Sequence, residues 1–195
     1  MSEVAGAVRE SGNHYDVIVA GGGMAGLSCA LFLARAQVRV AIFDRAQSSL
    51  RRVARVNNYL GFPEGIGGAE LLDLGKRQAQ RFGATFVEED ITDVSRQNGG
   101  FAVRVGDREH ESTYLVLASN KRTDLALKLG LALGGFSNKF VVVDADGQTA
   151  VAGCYAVGRI TGHPSQAVIS AGDGAKTAIG LIQKIRGEYY IDHDT

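Results

Sequence analysis

The sequence predicts one α/β domain, a parallel sheet with an inserted antiparallel meander, and three observations carry that prediction. Short β-branched runs alternate with helical stretches along most of the chain. The first run, a glycine turn, a helix and a second run follow one another within about 30 residues, which is a βαβ unit with parallel strands. Farther on, two alternating segments flank Gly106-Asp107, the mark of a hairpin. A length of 195 residues is a prior for one domain.

Each element follows from its local pattern. Residues 15–20 (YDVIVA) are compact and β-branched, fit for a strand buried on both faces. Residues 25–35 have helical composition and 38–43 (VRVAIF) form the next strand, with a right-handed crossover between them. Leu71, Leu72, Leu74 and Ala79 predict a helix over 68–82, followed by strands over 84–87 and around 91–94. Residues 101–105 and 109–113 make the hairpin, and 114–118 (YLVLA) a separate buried strand. A short helix over 124–129, a strand over 140–143 (FVVV), a last strand over 154–157 and a long helix over 166–186 complete the order. The expected organisation is an N-terminal arm over 1–13, one domain over 14–187 and a tail over 188–195.

Charge excludes one class of function. Lys plus Arg equals Asp plus Glu at 21 each, so no excess of cations exists to grip a nucleic acid backbone. The 26 glycines are nearly twice the usual share, and with only two prolines and no collagen period they serve turns and close approaches. Cys29 and Cys154 are far apart, which excludes a disulfide framework and a zinc cage; both read as small core residues. Residues 17–34 are uncharged over 18 positions, long enough to span a membrane, but Gly21, Gly22 and Gly23 cut the run in two. Residues 1–13 lack the apolar stretch of a signal peptide, so the chain reads as cytoplasmic.

The strongest motif is Gly21-Gly22-Gly23-Met24-Ala25-Gly26, a G-x-G-x-x-G placed after a strand and opening a helix. Gly21 permits the tight turn, Gly23 lets the backbone approach a pyrophosphate, and Gly26 lets the helix pack closely. The free amides at the helix start would then face phosphate. Asp44 ends the next strand, 18 residues beyond Gly26, where a carboxylate accepts hydrogen bonds from ribose hydroxyls. The fold is therefore Rossmann-like, and this motif leaves FAD and NAD both open.

Downstream, Thr149-Ala150-Val151-Ala152-Gly153-Cys154-Tyr155-Ala156-Val157-Gly158 and Gln166-Ala167 resemble the T-x-V-x-G-x-F-A-x-G-D run and R-Q-A helix start of the thioredoxin-reductase-like flavoproteins. Val56-Asn57-Asn58-Tyr59-Leu60-Gly61-Phe62 resembles the V-E-N-Y-P-G-F run of the same family. The resemblance spans nearly the whole chain and implies FAD. It also implies that Asn58 and Gly61 lie near the flavin ring, that Ile91 meets the adenine through its backbone, and that Gly158 lies beside the ribityl chain. The helix start at Gln166 and Ala167 would point its amides at the pyrimidine edge of the flavin.

Three departures shape the functional expectation. The family's strand ending A-T-G leads into an NADPH-binding domain with a redox C-x-x-C; here Ala118-Ser119-Asn120 passes at once to residues 122–133, which resemble the segment after that domain. Neither the hydride-donor site nor the dithiol carries over. Finally, Arg159 stands where the family has the Asp of A-x-G-D, exchanging an acceptor for a guanidinium that either donates to the cofactor or turns to solvent.

Among single residues, His163 in the loop before the last helix is a candidate acid or base, against the alternative of a surface histidine. Cys154 is a candidate redox thiol against its reading as core. Arg45, Arg51 and Arg52 are candidates to neutralise the adenosine phosphates. No metal site is expected. The expected function is an FAD-dependent oxidoreductase exchanging electrons with a separate donor protein or small molecule, and the expected assembly is a homodimer. Two alternatives stay open: a non-catalytic carrier or sensor of FAD or NAD, and a degenerate relative acting through protein interaction.

Overall fold

Strand β1 (His14–Ala20) occupies the middle of the sheet, hydrogen-bonded in parallel register to β2 (Val40–Phe43) on one side and β6 (Arg108–Leu117) on the other. The structure, a computed structural model, describes residues 13–191, so most of the expected arm and the end of the tail lie outside the described residues. Helix α1 (Met24–Arg35) makes the β1–β2 crossover, and α2 (Gly68–Arg81) leads to β3 (Thr85–Val87), parallel to β2. Strands β4 (Asp93–Gln97) and β5 (Gly100–Val105) run antiparallel and join the sheet through β6. After α3 (Asp124–Lys128), β7 (Leu133–Gly134) and β8 (Phe140–Val141) form a small separate ladder. Strand β9 (Cys154–Ala156) returns parallel to β6, and α4 (Ala167–Arg186) closes the domain.

The expected parallel sheet with a meander is present; β2 begins at Val40 and β4 runs over Asp93–Gln97, each shifted by about two residues, and two further differences have a structural reason. The segments 109–113 and 114–118 are one strand, because β6 changes partners along its length. Its first half pairs antiparallel with β5, leaving part of it wet, while Leu115 to Leu117 lie between β1 and β9 and are fully buried. Alternation giving way to a continuous apolar run is the sequence trace of that exchange. The expected strand over 140–143 ends at Val141. The chain then enters a turn in which the Asp144 carboxylate accepts the Asp146 and Gln148 amides, each at 2.9 Å.

The period-2 alternation of β1 divides the core. Val17 and Val19 face α1 and α4, whereas Ile18 and Ala20 face the meander residues Phe101, Val103 and Val105. Helices α1 and α4 approach until a Cβ on Gly174 would lie 2.1 Å from the Ala25 carbonyl oxygen, so only glycine fits there. Among the described residues, no helix is long and apolar enough to cross a membrane.

Candidate cofactor site

The turn from β1 into α1 is built from glycines with different duties. Gly21 has φ +117° and donates its amide to the Phe43 carbonyl at 2.9 Å; a Cβ there would sit 2.5 Å from the Ala118 carbonyl oxygen. At Gly22 a Cβ would meet the Asp44 carboxylate at 2.8 Å, so this glycine lets the acid close on the turn, a duty the sequence reading had not assigned. At Gly26 it would stand 2.0 Å from the Gly21 carbonyl oxygen. Gly23 alone of the four faces open space, its nearest neighbour being Ser48 Oγ at 3.8 Å. Helix α1 begins after Gly23 with no side-chain cap and no acid in its first turn, so its leading amides are left for a ligand.

Two clefts meet at this turn. One, of about 250 Å³, is lined by Gly21 and Gly22, Asp44 and Arg45, Ile91, Ser119 and Lys121. The other, of about 240 Å³, is lined by Met24, Ala25, Leu50, Arg159, Gln166, Ala167 and Ser170. Gly23, Ser48, Ala118 and Asn120 border both, making one groove that crosses the helix N-terminus at its midpoint. A ligand with two bulky halves joined by a pyrophosphate matches that shape, and the room over Gly23 is where the linkage fits.

A family profile described as an FAD binding domain matches residues 16–53, which hold the glycine turn, α1 and Asp44. Thioredoxin reductase 1, mitochondrial, of Arabidopsis thaliana is 30% identical over 185 residues, covering 90% of this chain and 47% of that one. The thioredoxin reductase of Chlamydia trachomatis is also 30% identical over 185 residues, covering 92% of this chain and 57% of its own length. The chain is thus similar to thioredoxin reductases over nearly its whole length, and its residues 16–53 match an FAD binding domain. Its cofactor is FAD, as the resemblance implied. The chain spans about half the length of the curated relatives it matches. In fold it is similar to a thioredoxin reductase from Gloeobacter violaceus, with TM-score 0.84 at 18% identity, covering 95% of this chain and 99% of that one.

This thioredoxin-reductase-like chain brings most of the expected residues to the groove. Asp44, Arg45, Ile91, Ala118 and Ser119 line the first cleft, and Met24, Ala25, Arg159, Gln166 and Ala167 the second. Asn58 reaches the second only through Gln166, donating from Nδ2 to Oε1 at 2.9 Å. Gly158, with φ +77°, lies beneath the groove wall, giving its amide to Asp173.

Others stand elsewhere. Arg51 is turned to Asp73 at 2.9 Å and lines a small separate cavity behind Asp44. Gly61 is at φ +94° on a loop tip with nothing within 4 Å of its Cβ position. His163 Nδ1 lies 3.2 Å from Asp173, and the residue lines another surface cleft with Phe140 and Asp144. Cys154 is fully buried on the meander side of the sheet, and burial pushes its thiol up to about 12. Cys29 is likewise buried and pushed to about 12, burial being the main cause and Asp173 a lesser one, so both cysteines sit as inert thiols. Sequence reasoning missed Ser48, Asn120 and Lys121 as groove residues, because nothing local shows that residues 48 and 120 face each other.

Asp44→Ala is expected to weaken FAD binding by about 1.5 kcal/mol, roughly tenfold, the lower end for a charged acceptor in a solvent-open groove. Titration of apoprotein by flavin fluorescence measures this. Unchanged affinity would remove Asp44 from the ribose site.

Proposed function

We propose that this chain is the FAD-holding part of an oxidoreductase that exchanges electrons with a separate donor protein or small molecule, and is not a self-contained thioredoxin reductase. The carrying observation is the contrast between a continuous dinucleotide groove and what lies beside it. Strand β6 passes into α3 through the short turn at 118–123, where the family's hydride-donor domain would emerge. The two thiols are buried and unpaired, and neither lines either cleft. Bound FAD supplies the electron transfer. The protein's own part is to bind and orient it: Asp44 accepts the ribose hydroxyls, the α1 amides and Gly23 receive the pyrophosphate, and the α4 start with Gln166 and Arg159 borders the flavin half.

The test is anaerobic reduction of the FAD-loaded chain followed by the flavin absorbance. A reduced viologen should bleach the band, whereas equimolar NADPH should leave it unchanged over minutes. Rapid bleaching by NADPH alone would overturn the proposal.

A homodimer and a cytoplasmic setting belong to the same reading. The apolar residues Leu127, Phe136 and Val142, in the segment that follows the turn where the second domain would emerge, are 57%, 86% and 55% exposed. Surface of that kind is normally covered by a partner, most often through a two-fold axis. Light scattering should give the dimer mass, and Phe136→Ser should shift it toward monomer; a monomer at all concentrations speaks against the assembly.

A further inference from the structure

We infer that Asn120 and Lys121, on the turn joining β6 to α3, form the outer wall of the pyrophosphate site opposite Gly23; this rests on reading the groove as the FAD site. The turn is closed by the Arg122 amide on the Ser119 carbonyl at 3.1 Å and by Ser119 Oγ donating to the Arg122 carbonyl at 2.6 Å. At its corner Asn120 adopts φ +61°, the left-handed region that glycine occupies freely and asparagine tolerates best among residues with side chains. The side chain kept there reaches across the groove, its Nδ2 within 3.5 Å of Ser49 Oγ. Asn120 borders both clefts, as do Gly23 and Ser48, so this reach spans the place where the two halves of a dinucleotide are joined.

The charges around the first cleft single out Lys121. Arg122 places Nη1 on both Asp90 oxygens at 2.9 and 2.7 Å and Nη2 on Asp124 at 2.9 Å. Arg45 lies 3.5 Å from the same Asp90. Asp44 accepts the Ala46 amide at 3.1 Å. Both arginines are thus matched by carboxylates, while Lys121 lines the cleft with no carboxylate partner among the described residues. A lysine next to Asn120, lining the same cleft as the Gly21 to Gly23 turn, supplies the positive charge that complements a dianionic pyrophosphate. The short junction is therefore part of the cofactor site in its own right.

Apoprotein titrated with FAD, ADP and riboflavin over a range of salt concentrations tests this. Lys121→Gln should weaken FAD and ADP about tenfold at low salt and flatten their salt dependence, leaving riboflavin, which lacks phosphate, unchanged. Lys121→Arg should retain most of the affinity, and Asn120→Gly should speed FAD release. Unfolding of the Lys121→Gln apoprotein should match wild type, since the residue is exposed. Equal FAD affinity and salt slope in wild type and Lys121→Gln, or an equal loss of riboflavin, would overturn the inference. Wild-type apoprotein that takes up no FAD would instead overturn the reading of the groove.

Discussion

Gly26→Ala is expected to lower the unfolding free energy of the apoprotein by about 3 kcal/mol and to abolish FAD retention, whereas Gly23→Ala should leave stability nearly unchanged and still lose FAD. A methyl at residue 26 would stand 2.0 Å from the Gly21 carbonyl oxygen, 3.1 Å from its carbon and 3.2 Å from Ala118 Cβ. Two of these three atoms are backbone, so relief requires α1 to withdraw from β1 or the glycine turn to move. Adjustment of α1 is further restrained by α4, which packs beside it on the same sheet face and touches its backbone at Gly174. Close-packed elements with no slack convert such an overlap into strain. At Gly23, by contrast, φ −74° and ψ 179° suit any residue, and the only neighbour of an added methyl is Ser48 Oγ at 3.8 Å. Its methyl would fill ligand space rather than protein space. Denaturant unfolding and flavin fluorescence on the two variants separate fold from site. Gly26→Ala within 1 kcal/mol of wild type, or Gly23→Ala with full FAD affinity, would refute the assignment.

The contrast between these glycines marks what a sequence can carry. The close packing at Gly26 and the open space at Gly23 follow from local pattern, because a strand, a left-handed turn and a helix start constrain residues a few positions apart. The core division was legible for the same reason, since Val17 and Val19 against Ile18 and Ala20 is period-2 alternation. What crosses between distant elements was not. Nothing near Asn58 says that it will donate to Gln166, 108 residues away, and nothing near Arg51 says that Asp73 will draw it from the groove. His163 shows the same limit, since its loop borders the α4 start but its ring turns to Asp173. The antiparallel and parallel halves of β6 read as two strands because each half carries the pattern of its own partner. Of residues 119–123, read as the junction left by a missing domain, only Ser119 was expected at the cofactor, yet Asn120, Lys121 and Arg122 line the first cleft beside it.

Arg159→Asp is expected to lower the two-electron reduction potential of the bound FAD by about 20–65 mV while keeping or improving FAD affinity. The residue lines the second cleft with Gln166 and Ala167, and no acidic side chain lines that cleft. Its guanidinium lies 5.4 Å from the Phe140 ring centre, and Nη1 donates to the His163 carbonyl at 3.2 Å. Its Nε is shielded from solvent without a hydrogen-bond partner. Asp173, the nearby acid, is engaged by the Gly158 amide and by His163. Helix α4 adds its own positive end, with no side-chain cap and no acid in the first turn. A reduced flavin at neutral pH gains negative charge on its pyrimidine side, so a fixed cation at this end favours the reduced form. Charge-assisted interactions of this kind contribute on the order of 1–3 kcal/mol, which for two electrons is about 20–65 mV. Arg159→Lys should retain part of the effect, since the charge stays but the planar donor geometry does not. Potentiometric titration of the three proteins decides it. A potential that is unchanged or raised in Arg159→Asp means that the guanidinium does not act on the flavin.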